Sequence, residues 1–162
     1  MRKIICMLLV MLCFVFPALA EETSPLAPYV LSAPPAVEIV DNEGSFTYVY
    51  GVTRVVAMMI ERVPDDNPAQ AVIRMMSQFE PDAVIGEDLV MAEGFVGLTA
   101  CQADKFGDGV DQITVMILSD AGNLLILSGY DMNSDEEQVQ QLLDTLLSNM
   151  SVNGTKIVIA KK

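Results

Sequence analysis

Ser134-Asp135-Glu136-Glu137-Gln138-Val139-Gln140-Gln141-Leu142-Leu143-Asp144-Thr145-Leu146-Leu147-Ser148-Asn149-Met150 is the stretch on which the fold turns. Val139, Leu142, Leu143, Leu146, Leu147 and Met150 recur at spacings of three and four, so a helix places them along one face. Ser134 and Glu137 have the spacing of a capping box, and the carboxylates of Glu136 and Glu137 fall beside the positive end of the helix dipole. A helix this one-sided needs an apolar surface to lie on, which the preceding segments must supply.

Upstream the periodicity becomes that of strands, over residues 83–92, 95–103, 112–119 and 124–130. Glu93-Gly94, Gly107-Asp108-Gly109 and Asp120-Ala121-Gly122-Asn123 separate them, as short Gly-containing connections of the kind that join antiparallel neighbours. A second amphipathic helix comes before these strands. Asn67-Pro68 offers an N-cap followed by proline at the first helical position, and Val72, Met75, Met76 and Phe79 share a face until Pro81 closes the segment. Gln70, Arg74 and Gln78 lie away from that face. Within residues 52–63, the unbroken run Val55-Val56-Ala57-Met58-Met59-Ile60 predicts a central strand covered on both sides. Asp41-Asn42-Glu43-Gly44 sits between β-prone residues 37–40 and 45–50 and predicts a hairpin. The predicted order is β-β-β-α-β-β-β-β-α: an α+β fold, with an antiparallel sheet flanked by two amphipathic helices. It occupies residues 37–152 as one domain, followed by a tail at 153–162 that is β-prone over 156–159.

The N-terminus has the layout of an export signal. Arg2 and Lys3 precede the apolar residues 4–16, and Pro17-Ala18-Leu19-Ala20 supplies the small-residue cleavage pattern, so residues 1–20 are expected to be removed before Glu21. Pro17 and the pair Glu21-Glu22 end the apolar run short of the roughly 17–25 residues of a membrane span. No stable membrane insertion is therefore expected after cleavage, and the mature chain is expected in the periplasm or outside the cell. Leu12 is too bulky before Cys13 for lipid attachment. Residues 21–36 hold Pro25, Pro28, Pro34 and Pro35 without apolar periodicity and predict an extended linker.

Composition excludes several functions. With 22 acidic against 9 basic residues the net charge is −13, and loss of Arg2 and Lys3 makes the mature chain more negative still. Such a surface repels phosphate backbones, so nucleic acid is excluded as a partner. The chain has no histidine, which removes Ser-His-Asp triads, Cys-His pairs and His-ligated zinc. The glycines sit at turn positions and form no phosphate-cradling loop, and no cofactor is expected. Cys6 and Cys13 depart with the signal, leaving Cys101 in a strand pattern where cysteine behaves as a small buried hydrophobe.

A few constellations carry possible chemistry. Asp104, Asp108 and Asp111 alternate with turn residues as metal candidates for calcium. Phe106 and Val115, however, stand where an EF-hand needs oxygen ligands, so a solvated hairpin loop is the stronger reading. Met58-Met59 and Met75-Met76 could ligate Cu(I), but adjacent strand residues point to opposite faces, and core filling explains both pairs. The carboxylate pairs Glu87-Asp88 and Glu136-Glu137 could serve acid-base chemistry on a glycan only if a cleft brought two carboxyls face to face. Asn149-Met150-Ser151 and Asn153-Gly154-Thr155 are glycosylation sequons, meaningful only in a host that glycosylates exported chains.

The order of elements, above all over residues 87–152, resembles the PsbP and DcrB-like superfamily of small exported domains. The resemblance is carried by the turn around Glu93-Gly94-Phe95, by a hairpin over 113–130 broken at Ala121-Gly122, and by the helix ending in Leu147-Ser148-Asn149-Met150-Ser151-Val152. It spans residues 45–152 and includes no catalytic signature. What it implies is an antiparallel sheet flanked by helices and a non-catalytic accessory or binding role, with an envelope protein or small ligand as partner. A secretion-chaperone-like α+β sandwich is the competing fold, although its usual leading helix is missing here. A weak calcium-binding module on the 104–111 loop and a small carboxylate-based hydrolase are the competing functions.

Overall fold

A computed structural model describes residues 22–61, 68–79, 81–82, 84–90, 94–102, 112–157 and 160–161. In chain order the elements are β1 (Glu22–Leu26), β2 (Tyr29–Ala33), β3 (Glu38–Asp41), β4 (Ser45–Tyr50), β5 (Thr53–Ile60), α1 (Pro68–Phe79), β6 (Val84–Val90), β7 (Phe95–Gln102), β8 (Gln112–Ser119), β9 (Leu124–Asp131), α2 (Glu136–Ser148), β10 (Ser151–Val152), β11 (Thr155–Lys156) and β12 (Ala160–Lys161). From β3 to α2 this is the order expected from the sequence.

Among the described residues, eight strands form one antiparallel sheet in the order β12-β6-β7-β8-β9-β5-β4-β3. β6 to β9 run as a meander that returns β9 beside β5, in register from Thr53 opposite Asp131 to Ile60 opposite Leu124. Side chains alternate across the sheet. Val55, Ala57, Ile113, Val115, Ile117, Leu125 and Leu127 face α2, which buries Val139, Leu142, Leu143, Leu146 and Leu147 against them. On the opposite face Met116, Leu118, Leu124, Ile126 and Ala100 meet Ala71, Val72 and Met76 of α1. β8, at the centre of this sandwich, is buried at every position, whereas the buried residues of β5, Thr53, Val55 and Ala57, all lie on its α2 side.

The structure corrects the expectation of a linker at residues 21–36. Residues 22–33 form β1 and β2, paired from Glu22 opposite Ala33 to Leu26 opposite Tyr29, and β2 also pairs with β10 in a second sheet ordered β1-β2-β10-β11. The prolines concealed a period-two pattern: Tyr29, Leu31 and Ala33 are buried, and Val30 and Ser32 less so. The prolines themselves occupy tolerant positions. Pro25 lies on β1, which ends this sheet among the described residues, Pro28 is in the turn, and Pro34 and Pro35 follow the strand. Tyr29 donates its hydroxyl proton to the Asn123 carbonyl at 2.9 Å, with the Ile117 carbonyl at 3.3 Å. Burial pushes its pKa up to about 12. The expected tail at 153–162 is likewise partly built into sheets. Asn153 and Gly154, both at positive φ, turn β10 into β11, and β12 pairs with β6. Residues 1–20, read as the signal peptide, lie outside the described residues.

One glycine sets how closely α2 approaches the sheet. A Cβ on Gly129 would lie 2.7 Å from Val139 Cγ1, 3.3 Å from Val55 Cγ2 and 3.4 Å from Leu143 Cδ1. Val139 is β-branched and stiff at χ1 in a helix, so it has no rotamer to yield with. Gly129→Ala is expected to lower stability by about 1–3 kcal/mol through overpacking, against the usual gain from replacing a strand glycine. Chemical denaturation checks this, and an unchanged or raised midpoint would contradict the close seat of α2.

Candidate functional site

The loop between β9 and α2 is organised by a buried carboxylate. Asp131, 1% exposed, stands opposite Thr53 across the β5–β9 ladder and accepts its hydroxyl hydrogen bond on Oδ2 at 2.6 Å. Its Oδ1 accepts from the backbone N–H of Asn133 at 2.7 Å and from that of Asp135 at 3.3 Å. Burial acts to raise the Asp131 pKa. The bonds from Thr53, Asn133 and Asp135, together with the charge of Arg54, outweigh it and hold the carboxyl below its ordinary value. α2 then begins one residue later than the capping box implied. Asp135 is the N-cap, its Oδ1 accepting from Gln138 N at 3.1 Å, and Ser134 precedes it at positive φ. Glu136 and Glu137 remain in the first turn, beside the positive end of the dipole.

With α2 fixed at this angle, a groove of about 280 Å³ opens between its exposed flank and the β2–β3 connection. Pro34, Ala36 and Val37 form one wall, held by a turn in which Val37 N donates to the Pro34 carbonyl at 2.9 Å. Gln138, Gln141, Leu142 and Thr145 of α2 form the other, and Tyr50 at the end of β4, 49% exposed, also lines it. The β4–β5 turn, next to Tyr50 in sequence, carries a further exposed apolar side chain. Val52 and Met132 are both exposed, and Met132 N donates to the Val52 carbonyl at 3.5 Å. The volume lies at the lower end of the roughly 300–1,000 Å³ of small-molecule sites and is ample for one inserted side chain.

The polar atoms of the α2 wall are tied down. Gln138 Nε2 donates to Asp135 Oδ2 at 2.7 Å, Gln141 Nε2 donates to Glu137 Oε1 at 3.1 Å, and Thr145 Oγ1 donates to the Gln141 carbonyl at 2.8 Å. Each glutamine thereby brings a carboxylate to the rim. No lysine or arginine lines the groove.

The residues singled out in the sequence do not converge here. Asp104, Asp108 and Asp111 lie outside the described residues, as do the side chains of Glu87, Asp88 and Cys101. In backbone terms, Cys101 pairs with Val84 and Ile113. Among the described residues no group of three or more His, Cys, Asp or Glu is placed to hold a metal. Met58, Met75 and Met76 pack with Met116 in the apolar layer beneath α1, and Met59 packs against the core on the other face. Glu136 and Glu137 are exposed on the first turn of α2. The groove residues were not singled out in the sequence, because Val37, Tyr50 and Gln141 come from three separate segments.

An eight-stranded antiparallel sheet with one helix on each face and a strand pair at its N-terminus is a PsbP-like α+β fold. It is similar to the solution structure of cyanobacterial PsbP (CyanoP) from Synechocystis sp. PCC 6803, with a TM-score of 0.51 and 15% sequence identity. The similarity covers 86% of this chain and 96% of that one, and at this identity it is a likeness of fold. No protein-family profile matches the sequence, and no curated protein matches it. Among the described residues no helix is long and apolar enough to cross a membrane.

The depressed pKa of Asp131 makes its contribution dependent on pH. That contribution is fully present above the unfolded-state value, near 3.8, and is lost as pH falls through the lower folded-state value. Asp131→Asn is expected to be about 1–3 kcal/mol less stable than the parent at neutral pH. Urea denaturation across pH should show the gap closing only below the ordinary carboxylate range. A gap that stays constant into strong acid would show that the charge on Asp131 contributes nothing.

Proposed function

We propose that this protein is a non-catalytic, extracytoplasmic accessory protein that docks on a component of the cell envelope through the groove beside α2. The observation that carries this reading is the groove itself: a trough with apolar Pro34, Ala36, Val37 and Leu142 and half-exposed Tyr50 in its lining, and with polar side chains of α2 beside them. Exposed apolar side chains gathered at one place on a strongly charged protein mark an interaction surface. The export-type N-terminus supports an address beyond the cytoplasm, and the likeness to PsbP implies an accessory role of the kind common among such domains. A chain without histidine also lacks the commonest acid-base and nucleophile-activating group, in keeping with a role in binding.

A photo-crosslinking residue placed at Tyr50 or Gln141 should form a defined adduct with one envelope protein in the native cell. The same residue at Gln78, exposed on α1 across the sheet, should not. Gel shifts with mass spectrometry read the outcome. Absence of an adduct at both groove positions, or the same adducts at Gln78, would refute docking through this face.

A further inference from the structure

The groove's shape and charge also define the chemistry of its occupant. Resting on the docking role above, we propose that it receives a cationic peptide segment of the partner, which inserts one large apolar side chain between α2 and the β2–β3 connection.

Two independent features of the groove require this. The floor is apolar: Pro34, Ala36, Val37 and Leu142 surround a volume of about 280 Å³, enough for one bulky side chain and too small for a helix to bury its whole face. Such a pocket gains affinity from a single anchor residue that displaces water from it. The rim is anionic and rich in acceptors. The carboxylates of Asp135 and Glu137 are held beside its lining by their bonds from Gln138 and Gln141. The Thr145 hydroxyl has already donated its only proton to the Gln141 carbonyl, so it faces the groove as an acceptor.

The nearest described cation on the adjoining turn does not neutralise this rim. Arg54 directs its guanidinium to the carbonyls of Gly51 and Thr53 at 2.7 and 2.9 Å, and strand alternation puts it on the face opposite to Val55 and α2. An anionic or acceptor-rich occupant would therefore leave two carboxylates facing like charge or unpaired lone pairs. Lysine or arginine beside the apolar anchor satisfies them, and the chain's net charge of −13 would speed the encounter.

The test uses the intact mature chain and three fluorescein-labelled peptides: phenylalanine flanked by lysines, the same peptide with alanine for phenylalanine, and the same peptide with glutamates for lysines. Fluorescence anisotropy should show saturable binding of the lysine–phenylalanine peptide. Alanine in the anchor position should weaken it at least about tenfold, as expected when a buried aromatic side chain is lost. The glutamate peptide should not bind. Affinity should fall several-fold as salt approaches ~1 M, where the Debye length shrinks to about 3 Å. Gln141→Lys and Thr145→Arg, both on the surface of α2, should each abolish binding while leaving the melting temperature within a few degrees of the parent, and either variant suffices if the other misfolds.

Equal binding of the phenylalanine and alanine peptides would reduce the effect to general attraction between charges and overturn the proposal. So would undiminished binding to both variants, or no binding at all. In those cases the crosslinks at Tyr50 and Gln141 decide the rest. If they persist, docking through the groove stands and the occupant is of another chemistry; if they are missing too, the docking role falls with it.

Discussion

The seat of α2 on the sheet is the contact on which the rest of the molecule depends. Gly129 leaves out the one Cβ that would hold the helix away, and Val139 and Leu143 occupy the space it vacates above Val55. A core closed at this distance is packed at crystal-like density, where even one added methyl group is felt. The other side of α2 rests on β2, so Tyr29 and Leu31 share a continuous apolar cluster with Leu127 and Leu146. The same helix supplies four of the residues that line the groove. The position of the candidate site thus follows from packing several residues below it.

Electrostatics fixes the helix at its start as packing fixes its middle. Asp131 ties β5, β9 and the first residues of α2 together through Thr53 and two backbone N–H groups. A buried carboxylate is stable only when such bonds replace its lost hydration, and here they more than offset it. Asp135 then caps the helix and also holds Gln138 at the groove. The residues that stabilise the start of α2 are thereby the ones that give the rim its negative charge. Structure and proposed recognition draw on one set of carboxylates.

The part of this fold with strong periodicity was legible in the sequence. The apolar stripe from Val139 to Leu147 and the Gly-containing connections at Gly94 and Gly122 determine α2 and the meander, because spacing alone decides which face is buried. β1 and β2 were not legible. Four prolines within a short stretch outweighed the alternation of Tyr29, Leu31 and Ala33, and nothing local shows that Tyr29 bonds to a carbonyl 94 residues away. The N-cap differed by one residue because Ser134 and Asp135 are both good caps. The local bond from Asp135 N to buried Asp131, with Ser134 turned to positive φ, decides between them. The groove had no sequence signature, since each wall separately looks like ordinary protein surface and becomes a site only once the β2–β3 connection, β4 and α2 are brought together.

Native-state hydrogen exchange of the chain, read residue by residue, tests most directly whether the N-terminal strands belong to the core that seats α2. The β2 amides bonded to β1 and β10 should exchange as slowly as those of Leu125 and Leu127 in β9, within about tenfold, as members of one cooperative unit. Exchange of residues 29–33 at the rate of an unfolded chain, while β9 and α2 stay protected, would contradict the account. It would return this segment to a linker and leave the groove without one of its walls.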